Sequence, residues 1–164
     1  MKIMVISDTH DDTIYVREAV DTFRKEGFDK LFVLGDIGVD SISILNEVYD
    51  KVLAVKGNCD SYDEEDAALF SLPYLNFDYD FQKVFVLSHG NYYLPYNYEG
   101  KWDVFLFGHY HVSSISEDKE GRIVANPGSL GQPRDGYHSY LEIDEKGMRV
   151  KDIVSKSVLH FLDF

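Results

Sequence analysis

Short apolar runs alternate with amphipathic stretches in the first third of the chain, and this alternation limits the fold more than any other feature. KIMVIS (2–7), KLFVLG (30–35) and KVLAV (51–55) are apolar and rich in β-branched or bulky residues, as expected of strands covered on both faces. After the first run, Asp11, Asp12 and Thr13 can cap a helix whose apolar positions Val16, Ala19, Val20 and Phe23 fall at helical spacing, and Gly27 ends it. A second helix is expected over 41–49, with Ile42, Leu45 and Val48 inward. The βαβαβ order implies parallel strands in one sheet.

The rest of the chain changes character. VFVLS and DVFLF read as further buried strands. YLNFDYD, VSSISED, GRIVAN, SYLEID and MRVKDIV read as strands separated by turns such as EDKEGR and DEKG. A parallel α/β half joined to a strand-rich half suggests two sheets with outer helices. No repeat, low-complexity tract or linker interrupts residues 1–164, so a single domain is expected. With 45% hydrophobic residues the chain can build a substantial core.

Charge and cysteine content narrow the function classes. The net charge of −13 repels nucleic-acid backbones and anionic membranes. No run approaches the roughly 18 uninterrupted apolar residues of a membrane span. The first apolar run stops at Asp8, too early for a signal peptide. One cysteine, Cys59, allows no internal disulfide, and a cytoplasmic location is expected.

The polar residues collect where the strands end. SDTH carries Asp8 and His10, GDIG carries Asp36, and KGNCD carries Asn58; HG after VFVLS carries His89, and GHYH after DVFLF carries His109 and His111. Loops at the carboxyl ends of strands in an open α/β sheet share one crevice. Glycines 35, 57, 90 and 108 beside these residues permit tight turns and close backbone approach. Imidazoles mixed with carboxylates suit manganese, iron, zinc or nickel, whereas calcium takes oxygen ligands. In an extended segment residues i and i+2 point the same way, so each of the DxH and HxH pairs is expected to grip one ion. Taken singly, each of these residues reads as an ordinary cap or turn; in order, each directly after a buried strand, they point to a metal centre.

The set Asp8-Thr9-His10, Gly35-Asp36, Gly57-Asn58, His89 and Gly108-His109-Tyr110-His111 resembles the calcineurin-like metallophosphoesterases. GNCD, the ANPGS stretch (125–129) and the short length make the chain similar to their small prokaryotic phosphodiesterase branch. The resemblance implies a four-layer α/β sandwich, two mixed sheets flanked by helices, with a binuclear metal site at the carboxyl ends of the strands. It implies one ion on Asp8, His10, Asp36 and His111, and another on Asp36, Asn58, His89 and His109. Manganese is the first choice, with Zn²⁺, Fe²⁺ or Ni²⁺ as alternatives. A metal-bridging hydroxide would attack a small organic phosphodiester, with Asp36 and Asn58 as catalytic residues and Asn58 also orienting the phosphoryl oxygens.

Three departures from the family pattern bear on the substrate. Cys59 stands where many relatives carry a histidine that protonates the leaving group; it reads as a small packing residue near the substrate, with weak acid, substrate contact, redox switch or nucleophile as alternatives. Asn91 follows His89-Gly90 where relatives often have a second histidine, and 91–102 is unusually aromatic, either surface packing or a platform for an aromatic group. Arg134 reads either as a donor to a substrate phosphate or as a plain surface arginine. His138 and His160 fall outside the motifs, and SVLHFLDF (157–164) reads as an edge strand or the contact of a homo-oligomer. The competing functions are a phosphomonoesterase or nucleotidase and a non-catalytic scaffold on the same fold, while a nuclease is disfavoured by the charge.

Overall fold

The computed structural model describes residues 1–61, 70–72 and 75–164, with the backbone alone at 70–72 and 75–80. In chain order the strands are β1 (Ile3–Ile6), β2 (Lys30–Val33), β3 (Val52–Val55), β4 (Phe70–Leu72), β5 (Leu75–Asp80), β6 (Lys83–Ser88), β7 (Val104–Phe107), β8 (Ser113–Glu117), β9 (Ile123–Pro127), β10 (Ser139–Asp144), β11 (Gly147–Asp152) and β12 (Val158–Asp163). Helix α1 spans Thr13–Lys25, and α2 (Val39–Leu45) runs into a 3-10 segment at Asn46–Lys51. One sheet has the order β12-β11-β10-β1-β2-β3-β4, the other β5-β6-β7-β9-β8. Strands β1 to β4 pair in parallel, as do β6, β7 and β9; the hairpin strands on the flanks make both sheets mixed.

Period-two sorting of apolar side chains divides the core. Ile3 and Val5 of β1 join Phe32, Leu34, Phe85, Leu87, Leu106 and Leu141 between the sheets. Met4 and Ile6, one residue out of phase, pack under α1 with Val16, Ala19, Val20 and Phe23. This is why the central strands look uniformly apolar in sequence. Asp12 caps α1 by accepting from the Tyr15 amide, and Gly27 follows it in the left-handed region at φ 69°. Ile42, Leu45 and Val48 point inward as expected, although the chain leaves α-geometry at Val48.

The outer face of the five-stranded sheet differs from expectation. Among the described residues no helix covers it. Trp102, Phe105 and Val86 form a small cluster there with Tyr98, Phe107 and Val124, so the aromatic 91–102 stretch supplies cover where a helical layer was expected. Strand β4 was not anticipated, because a three-residue pairing leaves no readable period. Tyr74, the first residue of the expected YLNFDYD strand, lies outside the described residues, and β5 begins at Leu75. The 157–164 tail is an edge strand, β12, pairing with β11 alone in its sheet.

Truncating Leu141, fully buried between the sheets, is expected to cost about 2–5 kcal/mol. Urea unfolding of Leu141→Ala should show a lower midpoint with an unchanged slope; a midpoint within error of wild type would contradict a close-packed inter-sheet core.

Candidate metal centre

The parallel ladder does not stop at the last residue of each strand. Past the end of β1, the Asp8 amide donates to Gly35 O (3.0 Å), His10 to Asp36 O (3.0 Å) and Asp11 to Ile37 O (2.9 Å). Across the other sheet, the Gly108 amide donates to His89 O (3.0 Å). The 126–134 loop closes the arrangement: Leu130 and Gly131 donate to Ser7 O and Asp8 O, Ser129 Oγ donates to Asp8 O, and the Arg134 amide donates to His111 O. Two glycines make this approach possible. A side chain at Gly57 would collide with the Asp36 carboxylate, and one at Gly108 with Ser7 Oγ.

Five of the seven expected ligands adopt left-handed backbone: Asp8 (φ 53°), His10 (44°), Asp36 (51°), His109 (67°) and His111 (59°). Aspartate and histidine tolerate this region better than most residues. The consequence overturns the pairing expected from extended geometry and agrees with the division of His109 from His111 that the family resemblance implies. Asp8, His10 and His111 form one group and Asp36, His89 and His109 another, with His10, Asp36 and Cys59 as a third that overlaps both; within each group the donor atoms lie within 4.8 Å of one another. DxH therefore stays together, whereas HxH divides, one histidine to each of the first two groups.

Two of the histidine donors are aimed by a hydrogen bond from their other ring nitrogen. His89 Nδ1 lies 2.6 Å from Leu34 O and His111 Nδ1 2.7 Å from Gln132 O. A carbonyl can only accept, so those nitrogens carry the protons and both Nε2 lone pairs face the cluster. His89 Nε2 lies 3.3 Å from His109 Nδ1 and 3.0 Å from Asn58 Oδ1, and His10 Nε2 lies 3.2 Å from His111 Nε2. The Cys59 amide holds Asp36 Oδ1 at 2.8 Å, leaving Oδ2 3.3 Å from His89 Nε2 and 3.8 Å from His10 Nε2. Asp36 thus stands between the two groups.

Buried Asp8 tests whether these residues suit a cation. Its Oδ2 accepts from Ser7 Oγ and the His109 amide. Its Oδ1 is buried without a hydrogen-bond partner, although His111 Nε2 is only 3.1 Å away. A buried carboxylate oxygen in contact with an imidazole, yet not hydrogen bonded to it, fits two ligands turned toward one cation. Donor separations near 3 Å also fit a shell whose bonds are about 2.0–2.2 Å. The electrostatics agree. Burial raises the Asp8 pKa above the usual carboxylate value despite the neighbouring histidines. Burial also opposes ionisation of Asp36, but the adjacent His89 ring, when it carries a second proton, and the Cys59 amide outweigh it and hold the carboxyl at about 2. For His89, burial is outweighed by Asp36 and Asp8, which raise its pKa. For His109, burial and the nearby His89 lower it. Two carboxylates that favour positive charge on a buried imidazole also favour a cation at the same place.

The profile of the calcineurin-like phosphoesterase superfamily domain matches residues 1–147. The chain belongs to that superfamily. Among its small prokaryotic members, the phosphodiesterase YfcE of Escherichia coli is 29% identical over 178 aligned residues, which cover 97% of this chain and 96% of that protein. The solved structure of YfcE, a phosphoesterase, matches at TM-score 0.87 and 27% identity over 99% of both chains. Phosphodiesterase MJ0936 of Methanocaldococcus jannaschii is 26% identical, covering 94% of this chain and 99% of its own. Vps29 of Entamoeba histolytica, solved in complex with zinc, matches at TM-score 0.72 and 19% identity over 99% of both chains; at that identity the likeness is one of fold.

Cys59 is exposed, so it is not a buried filler; its thiol reaches the rim near His10 and Asp36. Burial and the Asp36 carboxylate raise its pKa, which keeps it a thiol and argues against a nucleophile. Asn91 lines a polar cleft at Asn58 together with Lys56, Gly57, Asp60 and Tyr92. Arg134 is exposed, its backbone tied to His111. His138 is structural, stacked on Tyr15 at 3.7 Å and bonded to Leu130 O; His160 is exposed on β12.

Asp60 was missed. Its buried carboxylate accepts from the amides of Asp36 (2.8 Å), Ile37 (2.8 Å) and Gly57 (2.7 Å), tying the GD loop to the GN loop. Asn126 was also missed: it joins the Gly108 carbonyl to the Gly128 amide. An aspartate three residues after a turn glycine was the available signal for the first. Asp60→Ala is expected to cost about 2–4 kcal/mol, because three amides lose a charged acceptor. Asp60→Asn, which keeps one carbonyl acceptor, should fall between it and wild type. Thermal melts ranking Ala level with wild type would contradict the role.

Proposed function

We propose that the protein is a metal-dependent phosphodiesterase hydrolysing small organic phosphodiesters in the cytoplasm. The observation that carries this reading is the pair of donor groups meeting at Asp36, with the unpartnered Asp8 Oδ1 inside one of them. Asp8, His10, His111 and Asp36 would hold one divalent ion, and Asp36, Asn58, His89 and His109 the other. When bound, two such ions supply positive charge beside the phosphoryl oxygens and lower the pKa of a water from about 15.7 to about 7. Manganese is the first choice for this mixed nitrogen and oxygen set, with zinc, iron or nickel as alternatives.

The chain's own residues do the positioning. The Leu34 and Gln132 carbonyls fix the rings of His89 and His111, so little reorganisation is required when substrate arrives. The Asn58 amide turns its oxygen to His89; its nitrogen donates to Cys59 Sγ at 3.4 Å and has a second hydrogen for a phosphoryl oxygen. Arg134 on the rim can add a bidentate contact. With a thiol where many relatives place an imidazole, leaving-group protonation is weak, and diesters of acidic alcohols should react fastest. The net charge of −13 favours small substrates over nucleic acid. Among the described residues no helix is long and apolar enough to cross a membrane.

Metal-stripped protein should regain hydrolysis of bis(p-nitrophenyl) phosphate on addition of Mn²⁺, with p-nitrophenyl phosphate turned over more slowly. Asp36→Asn should lower the diester rate by about 100-fold or more, at least the upper end seen for residues that merely orient metal ligands. A faster monoester reaction would move the assignment to phosphomonoesterase. Bound metal without turnover of either ester would favour a non-catalytic scaffold.

A further inference from the structure

Along the 107–112 loop the side chains divide by chemistry. His109 and His111 enter the donor groups, while Phe107, Tyr110 and Val112 line an apolar cleft of about 370 Å³ with Leu94, Ser114 and Asn126. The cleft opens on the outer face of the five-stranded sheet, beyond the carboxyl ends of β7 and β9. Its walls are ordered by ring contacts: Tyr110 meets Phe107 edge-on at 5.9 Å and His109 at 5.3 Å. The Asn126 amide is already bonded at both ends, to Gly108 O and the Gly128 amide. The Tyr110 and Ser114 hydroxyls therefore remain as its main polar groups. Tyr110 and Val112 are each 45% exposed, a large apolar exposure for residues whose neighbours in sequence are the expected ligands.

Continuity decides the occupant. Tyr110 both meets the ring of His109 and lines the cleft, so the cleft lies beside the donor cluster and one molecule can reach both. The volume sits at the small end of the range of about 300–1,000 Å³ typical of small-molecule sites, enough for an aryl ring or a short acyl chain. By contrast, the cleft at Asn58 is polar, lined by Lys56, Asp60 and Asn91.

We propose that the Tyr110–Val112 cleft is a subsite for the apolar alcohol of an asymmetric phosphodiester, an aryl or short acyl-bearing group held there while the phosphate lies at the donor cluster. The proposal rests on the phosphodiesterase reading and adds the substrate class: one apolar and one polar alcohol on the same phosphate.

The test is inhibition of bis(p-nitrophenyl) phosphate hydrolysis by methyl-, butyl- and 4-phenylbutylphosphonate, using the Mn²⁺-loaded full chain. Burying a methylene is worth about fourfold in affinity, so Ki should fall by about tenfold or more from methyl to 4-phenylbutyl. In Val112→Asp, and separately in Leu94→Asn, that spread should shrink to about threefold or less. A Ki independent of chain length, or a spread retained in both variants, overturns the subsite. If wild-type protein hydrolyses no diester, the functional reading fails on its own, and NMR titration with 4-phenylbutylphosphonate decides the subsite. Saturable shifts of the Leu94 and Val112 methyls would support it; shifts confined elsewhere, or none, would overturn it.

Discussion

Everything at the candidate centre depends on backbone ladders that continue past the ends of the central strands while the chain turns left-handed. A non-glycine residue in that region costs on the order of 1–3 kcal/mol and persists only where its surroundings over-determine it. Here they do. Asp8 and His10 are each held by an amide bond to the neighbouring loop, Asp36 is held through both its amide and its carboxylate, and His111 is held by its carbonyl and its ring. The left-handed turns bring side chains from adjacent loops to one point instead of spreading them along strand directions. Left-handed non-glycine residues of this kind cluster at active sites and ligand clamps.

That rigidity links the fold to the chemistry. The inter-sheet core of Leu87, Leu106, Phe32 and their neighbours fixes the two sheets against each other, and the loops from both sheets then meet over its edge. His89 and His109 come from the five-stranded sheet, Asp8, His10 and Asp36 from the seven-stranded one. Each of the two ligand groups, Asp8-His10-His111 and Asp36-His89-His109, draws on both sheets, so loss of packing between the sheets would pull each group apart. Asp60 and the 126–134 loop act as braces across these joins, one between neighbouring loops of a single sheet and the other between the sheets.

Much of this was legible in the sequence because it is carried by local pattern. Apolar runs at strand length and the α1 spacing from Val16 to Phe23 located every strand but β4 and the position of both helices, and the polar residues directly after each run pointed to the loops that come together in the fold. What was not legible depends on backbone torsion or long-range partners. The division of His109 from His111 was implied by the family resemblance and not by strand geometry, because it follows from φ values that residue types do not specify. The three amides that converge on Asp60 come from residues 36, 37 and 57, and only the folded loops bring them together. That loop aromatics, and among the described residues no helix, cover the outer face of the five-stranded sheet was hidden as well, since Trp102 and Tyr98 look alike whether they lie on a helix, on a loop or at a contact.

The central claim is that the two donor groups hold two cations with Asp36 between them. Anomalous diffraction from crystals grown with Mn²⁺, together with metal content in solution, tests it most directly. The account predicts two ions per chain, one among Asp8, His10 and His111 and the other among Asn58, His89 and His109, with Asp36 touching both. A protein that takes up no ion at these residues, or a single ion that Asp36 does not touch, would contradict it.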